Sequence, residues 1–508
     1  MGIPGSANPM LLGGVQQYQV ERSLRFDGGA YLYRTPASAG NRRTSTFSYW
    51  FKWDSTGGEG VFLWASGRTK LAIDGGGFDE VSLDDYDGAY NIRKITSQSL
   101  RDPSAWYHLM VVMDTTNATA EDRQRLYLNG QRITAFSTST NPSQNFDTEW
   151  NNNVQHRIGA DNNPFYFRGY MAECYMIDGT ALDPSSFGKT DTITGAWIPK
   201  KYSGSYGTNG FYLKFDPSAT NGIGHDHSGN GNNFTATGFS TSSSTYNINN
   251  DVVFDTPTNN HATWLPGKSD AFMPGQAQAF SDYRQNGNLY GNTGRNSPNS
   301  IFSSIPFPDN AKTYVEVYIN DVGGGGGPLS PGVSIGCDLN GYGPYIYGSG
   351  NYNQDTAAAY SGYDGAFTWN GGSGTSNGGA YGASTLIGIA VDTTTSSPTI
   401  SFYKNGTLVG TGTVGSNYRK SLVVRIDPVT GSSTAVGAYI NAGQYAFNNL
   451  PTGYKALNTA NLPEPTIKKG GAHFNTVLYT GTGSAQSISG VGFQPDLVWS
   501  KGRSIATN

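Results

Sequence analysis

The 508-residue sequence predicts an all-β protein made of tandem antiparallel β-sandwiches. Three observations predict it. One two-strand module occurs twice, in the same internal order. Charged residues are only 14 % of the chain while aromatics reach 13 %, with 69 Gly and 32 Tyr, the profile of short aromatic-cored strands separated by Gly, Asn, Ser and Thr turns. Helical runs of Glu, Lys, Ala and Leu are absent.

The first copy of the module opens with Trp106-Tyr107-His108-Leu109-Met110-Val111-Val112-Met113, leaves through Asp114-Thr115-Thr116 and returns as Leu126-Tyr127-Leu128-Asn129-Gly130-Gln131-Arg132-Ile133. The second opens with Leu386-Ile387-Gly388-Ile389-Ala390-Val391, leaves through Asp392-Thr393-Thr394 and returns as Ile400 to Val409 with Asn405-Gly406 at its turn. A continuously apolar strand is an inner strand of a packed sheet. Asn-Gly between apolar alternations marks a hairpin, because both central residues of a type I′ turn need φ > 0. Two copies imply two sandwiches of one kind; the alternative is convergence on one hairpin in unrelated β-domains.

A chain of this length holds about two to four domains. Residues 1–20, with Pro4, Pro9 and several Gly, read as an extended arm that docks on a larger assembly. Residues 21–200 form the first sandwich, with strands at Ser23–Asp27, Ala30–Tyr33, Phe47–Trp53, Gly60–Trp64, Lys70–Ile73, Gln155–Gly159 and Phe165–Gly179 around the module. Phe47–Trp53 carries large aromatics on both faces, and Pro184-Ser185-Ser186-Phe187 makes one helical turn. Residues 201–280 read as a packed connecting segment, because Phe211, Phe215, Phe254 and Trp264 need burial. Residues 281–462 form the second sandwich, with Thr313–Ile319, Val333–Cys337, Tyr345–Tyr347, Leu422–Ile426 and Thr434–Asn441 as strands. The run Gly323–Gly327 is a flexible tip, not a phosphate cradle, since no Lys-Ser or Lys-Thr follows it. After the stiff Pro463-Glu464-Pro465, residues 463–508 start a further β unit with strands at His473–Gly481 and Val491–Trp499, truncated at Asn508.

The net charge of -4 comes without a basic stripe, which excludes nucleic acid as the expected partner. No apolar run approaches transmembrane length, and the first residues lack the pattern of a secretion signal. Gly2 and Ser6 match a loose myristoylation pattern, but nothing else points to a membrane. Cys174 and Cys337 fall in different sandwiches and read as small buried hydrophobes, not a disulfide.

Opening strand Leu24–Asp27, aromatic strand Phe47–Trp53, Trp106-Tyr107-His108, Tyr127-Leu128-Asn129-Gly130 and Phe167–Asp178 together resemble a laminin G-like, concanavalin A-like sandwich. Val315–Ile319, the Ile389 strand, Phe402-Tyr403-Lys404-Asn405-Gly406 and Asn441-Ala442-Gly443-Gln444 resemble a SPRY-type sandwich, also a concanavalin A-like jelly roll. These modules, followed by the Phe-x-Thr-x-x-Tyr-Thr-Gly pattern at Phe474–Gly481, are similar in order to tail-fibre or adhesin-like virion proteins of tailed phages. The resemblance implies a binding or spacer role, not an enzyme.

The residues themselves name no catalytic, cofactor or metal site. A retaining glycosidase needs two carboxyls about 5 Å apart, and the Glu, Asp, Glu order of glucanases at strand spacing is absent. Asp79-Glu80, Asp84-Asp85 and Asp87 read as a solvated turn region; Glu173 and Glu316 stand alone in apolar strands. No Gly-x-Ser-x-Gly, His-x-x-x-His or Cys-x-x-Cys occurs. Asp226-His227-Ser228-Gly229-Asn230-Gly231 has the opening of a calcium loop, but Thr237 replaces the closing Glu; the alternative is a hydrogen-bonded turn. For glycans, Tyr86, Tyr90, Tyr342, Tyr345, Tyr352, Tyr360 and Tyr363 lie in Gly-rich loops, where rings cover sugar faces or pin loops to their own sandwich.

The expectation is therefore a structural virion protein of a tailed phage, a trimeric tail fibre meeting host-surface glycan, with the N-terminal arm held by other virion proteins. A capsid decoration or head fibre and a polysaccharide depolymerase are the alternatives. No cofactor is expected; calcium at Asp226 is the lesser alternative to a hydrogen-bonded turn.

Overall fold

In the computed structural model the chain is described at residues 18–54, 60–74, 79–163, 165–241, 250–264, 284–285, 287–292, 301–321, 332–337, 356–362, 365–370, 375–376, 378–415, 422–427, 437–463 and 465–502. It is nearly all β, in two sandwiches of antiparallel sheets. In the first, the inner sheet runs in the order 131–132, 124–128, 107–114, 44–53, 168–178, 23–27, 252–253, with 211–213 also on 168–178. The outer sheet runs 136–140, 90–99, 80–86, 69–74, 60–65, 156–158, 31–34, 235–237. In the second, one sheet is built on 312–321, 385–392, 399–404, 407–413 and 437–441 and the other on 332–337, 356–361, 366–369 and 422–427. The only parallel ladder in these described sheets joins 455–456 to 312–321.

The repeated module is repeated in space. Asn129 and Gly130 have φ of 48° and 77°, Asn405 and Gly406 φ of 47° and 85°, the pair of left-handed residues a type I′ turn requires. Asn129 Oδ1 accepts from the His108 amide at 2.8 Å and Asn405 Oδ1 from the Leu386 amide at 2.9 Å. The exits match as well. Thr116 Oγ1 donates to Asp114 at 2.6 Å and Thr394 Oγ1 to Asp392 at 2.5 Å. The Thr115 and Thr393 amides both donate at 2.9 Å to the carbonyl that precedes the partner strand, Arg43 or Ala311.

The aromatics on both faces of Thr44–Trp53 have two destinations. Phe47, Tyr49, Phe51 and Trp53 fill the core of the first sandwich. Trp50 joins Trp106, Tyr170 and Ala172 in a cluster continuous with the core of the second sandwich. The strap 250–264 lies in this seam. Val252–Val253 pairs with Ser23–Asp27, while the Phe254 amide donates to the Gln444 carbonyl, the Ala262 amide to Leu457 and the Trp264 indole to Ala438. Lys52 reaches into it, donating to Asp255 at 2.9 Å and Asn260 at 2.8 Å.

Residues 211–253 thus supply strands to both sheets of the first sandwich as well as a connection. Phe211, Phe215 and Trp264 are buried as expected, but Phe254 is 53 % exposed; the Val252–Val253 ladder sets strand parity, and Val253, not Phe254, faces inward. The expected 3₁₀ turn is present at Pro184–Ser186, capped by Asp183.

The expected strands of the further unit at 463–508 are not formed among its described residues. Among the described residues of 465–502 there is no strand, and Phe474, Leu478, Leu497 and Trp499 are exposed. Apolar alternation gives a segment strand propensity, but a strand exists only with a ladder partner to satisfy its amides, and none is formed there. The arm residues 1–17, Gly323–Gly327 and Tyr345–Tyr347 lie outside the described residues. Cys174 is buried; the side chain of Cys337 lies outside the described set.

Candidate glycan-binding face

The seven tyrosines separate. Tyr342, Tyr345, Tyr352 and Tyr363 lie outside the described residues. Tyr360 is buried in the second core, stacked on Phe367, with its hydroxyl donating to the Gly378 and Gly379 carbonyls; it pins a loop. Tyr86 and Tyr90 are 50 % and 40 % exposed and meet edge-on at 4.9 Å. The Arg93 guanidinium lies 4.1 Å from the Tyr90 ring centroid, a cation–π contact that fixes the ring.

The acidic run beneath them is not a solvated turn. Val81 and Leu83 are core residues of the strand Glu80–Tyr86, which pairs with Tyr90–Ser99. Asp85 is buried and accepts from Arg68 Nε at 2.8 Å, Thr69 Oγ1 and Asn91 Nδ2. Arg68 also reaches Glu149 at 3.4 Å. The apolar alternation Val81, Leu83 overrides the local acidity, and Arg68 pairs with the Asp85 carboxylate that the same alternation places under the sheet. The hairpin root is therefore rigid, and the exposed tyrosines are held at its tip.

From that tip a single row crosses the solvent side of the outer sheet. Register sets Thr140 opposite Arg93, Arg93 opposite Asp84, Asp84 opposite Lys70, Lys70 opposite Trp64, Trp64 opposite Arg157, Arg157 opposite Tyr33 and Tyr33 opposite Thr235. Every strand contributes one residue. Their neighbours Leu83, Leu71, Leu63, Ile158 and Leu32 are buried in the core, so strand alternation turns the row away from that core, although Trp64 within it is itself covered, clustered with Val61 and Ala72. Tyr31, Phe165 and Tyr166 flank it: Arg157 sits 4.9 Å from the Tyr31 ring and 5.1 Å from Trp64, and Lys70 lies 5.8 Å from Phe165. Cations beside aromatic edges on an open sheet can cover sugar faces and bind their hydroxyls and charges.

Residues 26–186 match the concanavalin A-like lectin/glucanases superfamily. Residues 469–508 match a domain of unknown function, DUF7483. No curated protein matches the chain. Solved structures similar to it include a human SPRY domain (18 % identity, 29 % of this chain and 86 % of that one, TM-score 0.22). A Bacteroides ovatus protein described as carbohydrate binding matches at 15 % identity, over 44 % and 59 %, with TM-score 0.30. Domain 4 of an extracellular arabinanase from Geobacillus stearothermophilus, in complex with arabinotriose, matches at 17 % identity, over 34 % and 79 %, with TM-score 0.25.

Groups with the ingredients of catalysis have structural partners. Ser48 Oγ lies 2.8 Å from His108 Nε2, a pairing separated by sixty positions in sequence. The Trp197 indole donates to His108 Nδ1 at 3.0 Å, so the neutral ring carries its proton on Nε2 and gives it to Ser48. That tautomer has no lone pair with which to activate the serine. Burial pushes the His108 pKa down to about 3.

Glu173 sits at a bulge with φ of 54°. Tyr18 and Tyr175 donate to its Oε2 and Tyr212 to its Oε1. Desolvation lifts its pKa above the ordinary carboxyl value, with the phenols opposing. Glu316 accepts from the Asn448 and Asn449 amides at 2.9 and 3.0 Å and from the Asn441 side chain. Each carboxylate that stands alone in the sequence is thus a clamp on a distant segment, the chain entry at Tyr18 or the loop 441–449. Only the tertiary fold brings those partners in.

At the calcium-like loop, Asp226 accepts from the Tyr212, Ser228 and Asn232 amides and from Ser228 Oγ. Asn230 turns its amide nitrogen to the Gly207 and Gly210 carbonyls. Among the described residues no group of three His, Cys, Asp or Glu side chains is disposed to hold a metal.

Proposed function

We propose that this chain is a glycan-binding structural protein of a tailed-phage virion, a tail-fibre component that attaches to the host surface and does no chemistry on the glycan. The observation that carries the binding role is the solvent-side row of the outer sheet with the exposed Tyr86–Tyr90 pair beside its Arg93–Asp84 step. The superfamily match of residues 26–186 agrees with a lectin-type module. The order of the two sandwiches and the Phe474–Gly481 pattern, similar to phage fibres, support the virion role. In this reading the N-terminal arm is held by other virion proteins, and trimerisation turns weak sugar contacts into avidity.

Two measurements test it. The purified protein is laid on an array of neutral and acidic glycans beside Tyr86→Ala and Tyr90→Ala variants; binding that both variants retain removes the face from consideration. Antibody labelling of intact particles places the protein on tail or head, and a monomer in sizing experiments contradicts the trimer.

A further inference from the structure

The row across the outer sheet carries Arg93, Lys70 and Arg157 against one carboxylate, Asp84. This local excess of positive charge lies on a chain whose net charge is -4. Adjacent strands are about 4.8 Å apart, so Arg93 to Lys70 and Lys70 to Arg157, each two strands apart, span about 9.6 Å. That is close to the length of one disaccharide unit.

The cations are also prepared for a ligand. Arg157 is held between the Tyr31 and Trp64 rings, and its Nε and Nη1 donate to Gln155 and to the Asp161 carbonyl. Its orientation is set before anything binds, with one Nη1 proton and both Nη2 protons beyond these two bonds. Arg93 is fixed over Tyr90, its Nε is buried without a hydrogen bond, and its ion pair with Asp84 is stretched to 4.0 Å. A guanidinium fixed by ring contacts loses little freedom on meeting an anion.

We infer that this face takes an acidic polysaccharide lying across the strands, with one anionic group per disaccharide meeting Arg93, Lys70 and Arg157 in turn. The inference rests on the glycan-binding reading and adds the charge and direction of the ligand. Tyr86 and Tyr90 flank the path beside Arg93 and Asp84, and Asp84 is the element that opposes the ligand, so its removal strengthens binding.

The test uses the full chain with hyaluronan oligosaccharides, which carry one carboxylate per disaccharide, and neutral dextran oligosaccharides of equal length, measured by calorimetry. Lys70→Gln and Arg157→Gln each weaken hyaluronan binding about fivefold, the effect of one partly exposed charge-assisted contact. Asp84→Asn strengthens it about threefold by lifting one like-charge repulsion, and added salt weakens hyaluronan alone. Unchanged unfolding midpoints of the three variants confirm folding. Equal affinity for both sugars, or no gain in Asp84→Asn, overturns the inference. Binding of neutral oligosaccharides only, abolished by Tyr90→Ala, overturns the inference while the glycan reading stands; no binding to any glycan of the array overturns both.

Discussion

The ammonium of Lys52 lies 2.9 Å from the carboxylate of Asp255, and the two side chains are 1 % and 0 % exposed. Lys52 belongs to the central strand of the first sandwich and Asp255 to the strap in the seam. Asp255 also accepts from the Trp106 indole at 2.9 Å. Removing one partner strands a buried charge, so Lys52→Met is expected to cost about 3–5 kcal/mol. In urea unfolding, the loss should reach the second sandwich too. A variant in which that sandwich keeps its wild-type midpoint would show the seam to be energetically idle.

His108 makes stability depend on acid. Its folded pKa, about 3 through burial, lies below the ordinary 6.5. The unfolded chain therefore binds the extra proton first as pH falls. The neutral ring costs nothing above pH 6.5; stability is lost progressively between 6.5 and about 3, by at most about 1.4 kcal/mol per pH unit. His108→Gln should lose less stability than the wild type over that window in thermal melts. Parallel melting curves from pH 7 to 4 would sink the idea.

Glu316 holds a loop through two backbone amides. Glu316→Ala leaves the Asn448 and Asn449 amides without an acceptor and should cost about 2–3 kcal/mol, while Glu316→Gln keeps one oxygen and costs less. Hydrogen exchange is the direct readout. Those two amides should become the fastest-exchanging in the 441–449 loop, and unchanged protection would contradict the clamp.

The two turn glycines should differ in sensitivity. Both sit at φ near +80°, where any Cβ is strained by about 1 kcal/mol. A Cβ on Gly130 would also come within 2.6 Å of the Trp197 ring, whereas at Gly406 it meets the exposed Asn449 side chain. Gly130→Ala should therefore cost roughly 1–3 kcal/mol more, through overpacking. Equilibrium unfolding decides; equal losses would mean the Trp197 ring yields freely.

The hairpins could be read from the sequence because their signal is local: Asn-Gly demands one turn, and the Asp-Thr-Thr exits close on themselves. The strand Thr44–Trp53 was legible as two-faced, although not what its second face met, since the Trp50 side joins a cluster that runs on into the second sandwich, more than two hundred positions away. The Glu80–Tyr86 strand was hidden by five acidic residues around its tip; Val81 and Leu83 at period two were the signal available. Tyr86 and Tyr90 were two of seven candidate rings that the sequence could not separate from loop-pinning ones such as Tyr360, and the row of Arg93, Lys70 and Arg157 exists only through register across strands. The terminal segment shows the opposite case: its alternation is local, and no ladder forms among its described residues.

The strap between the sandwiches removes a joint. Because 250–264 pairs with one sandwich and bonds to the other, the proposed attachment through the outer sheet would leave no swivel to be frozen. A flexible tandem would surrender orientational entropy at that moment; this pair has already done so during folding. Whatever grips Tyr86 and Tyr90 therefore turns the second sandwich with it, as a single stiff lever.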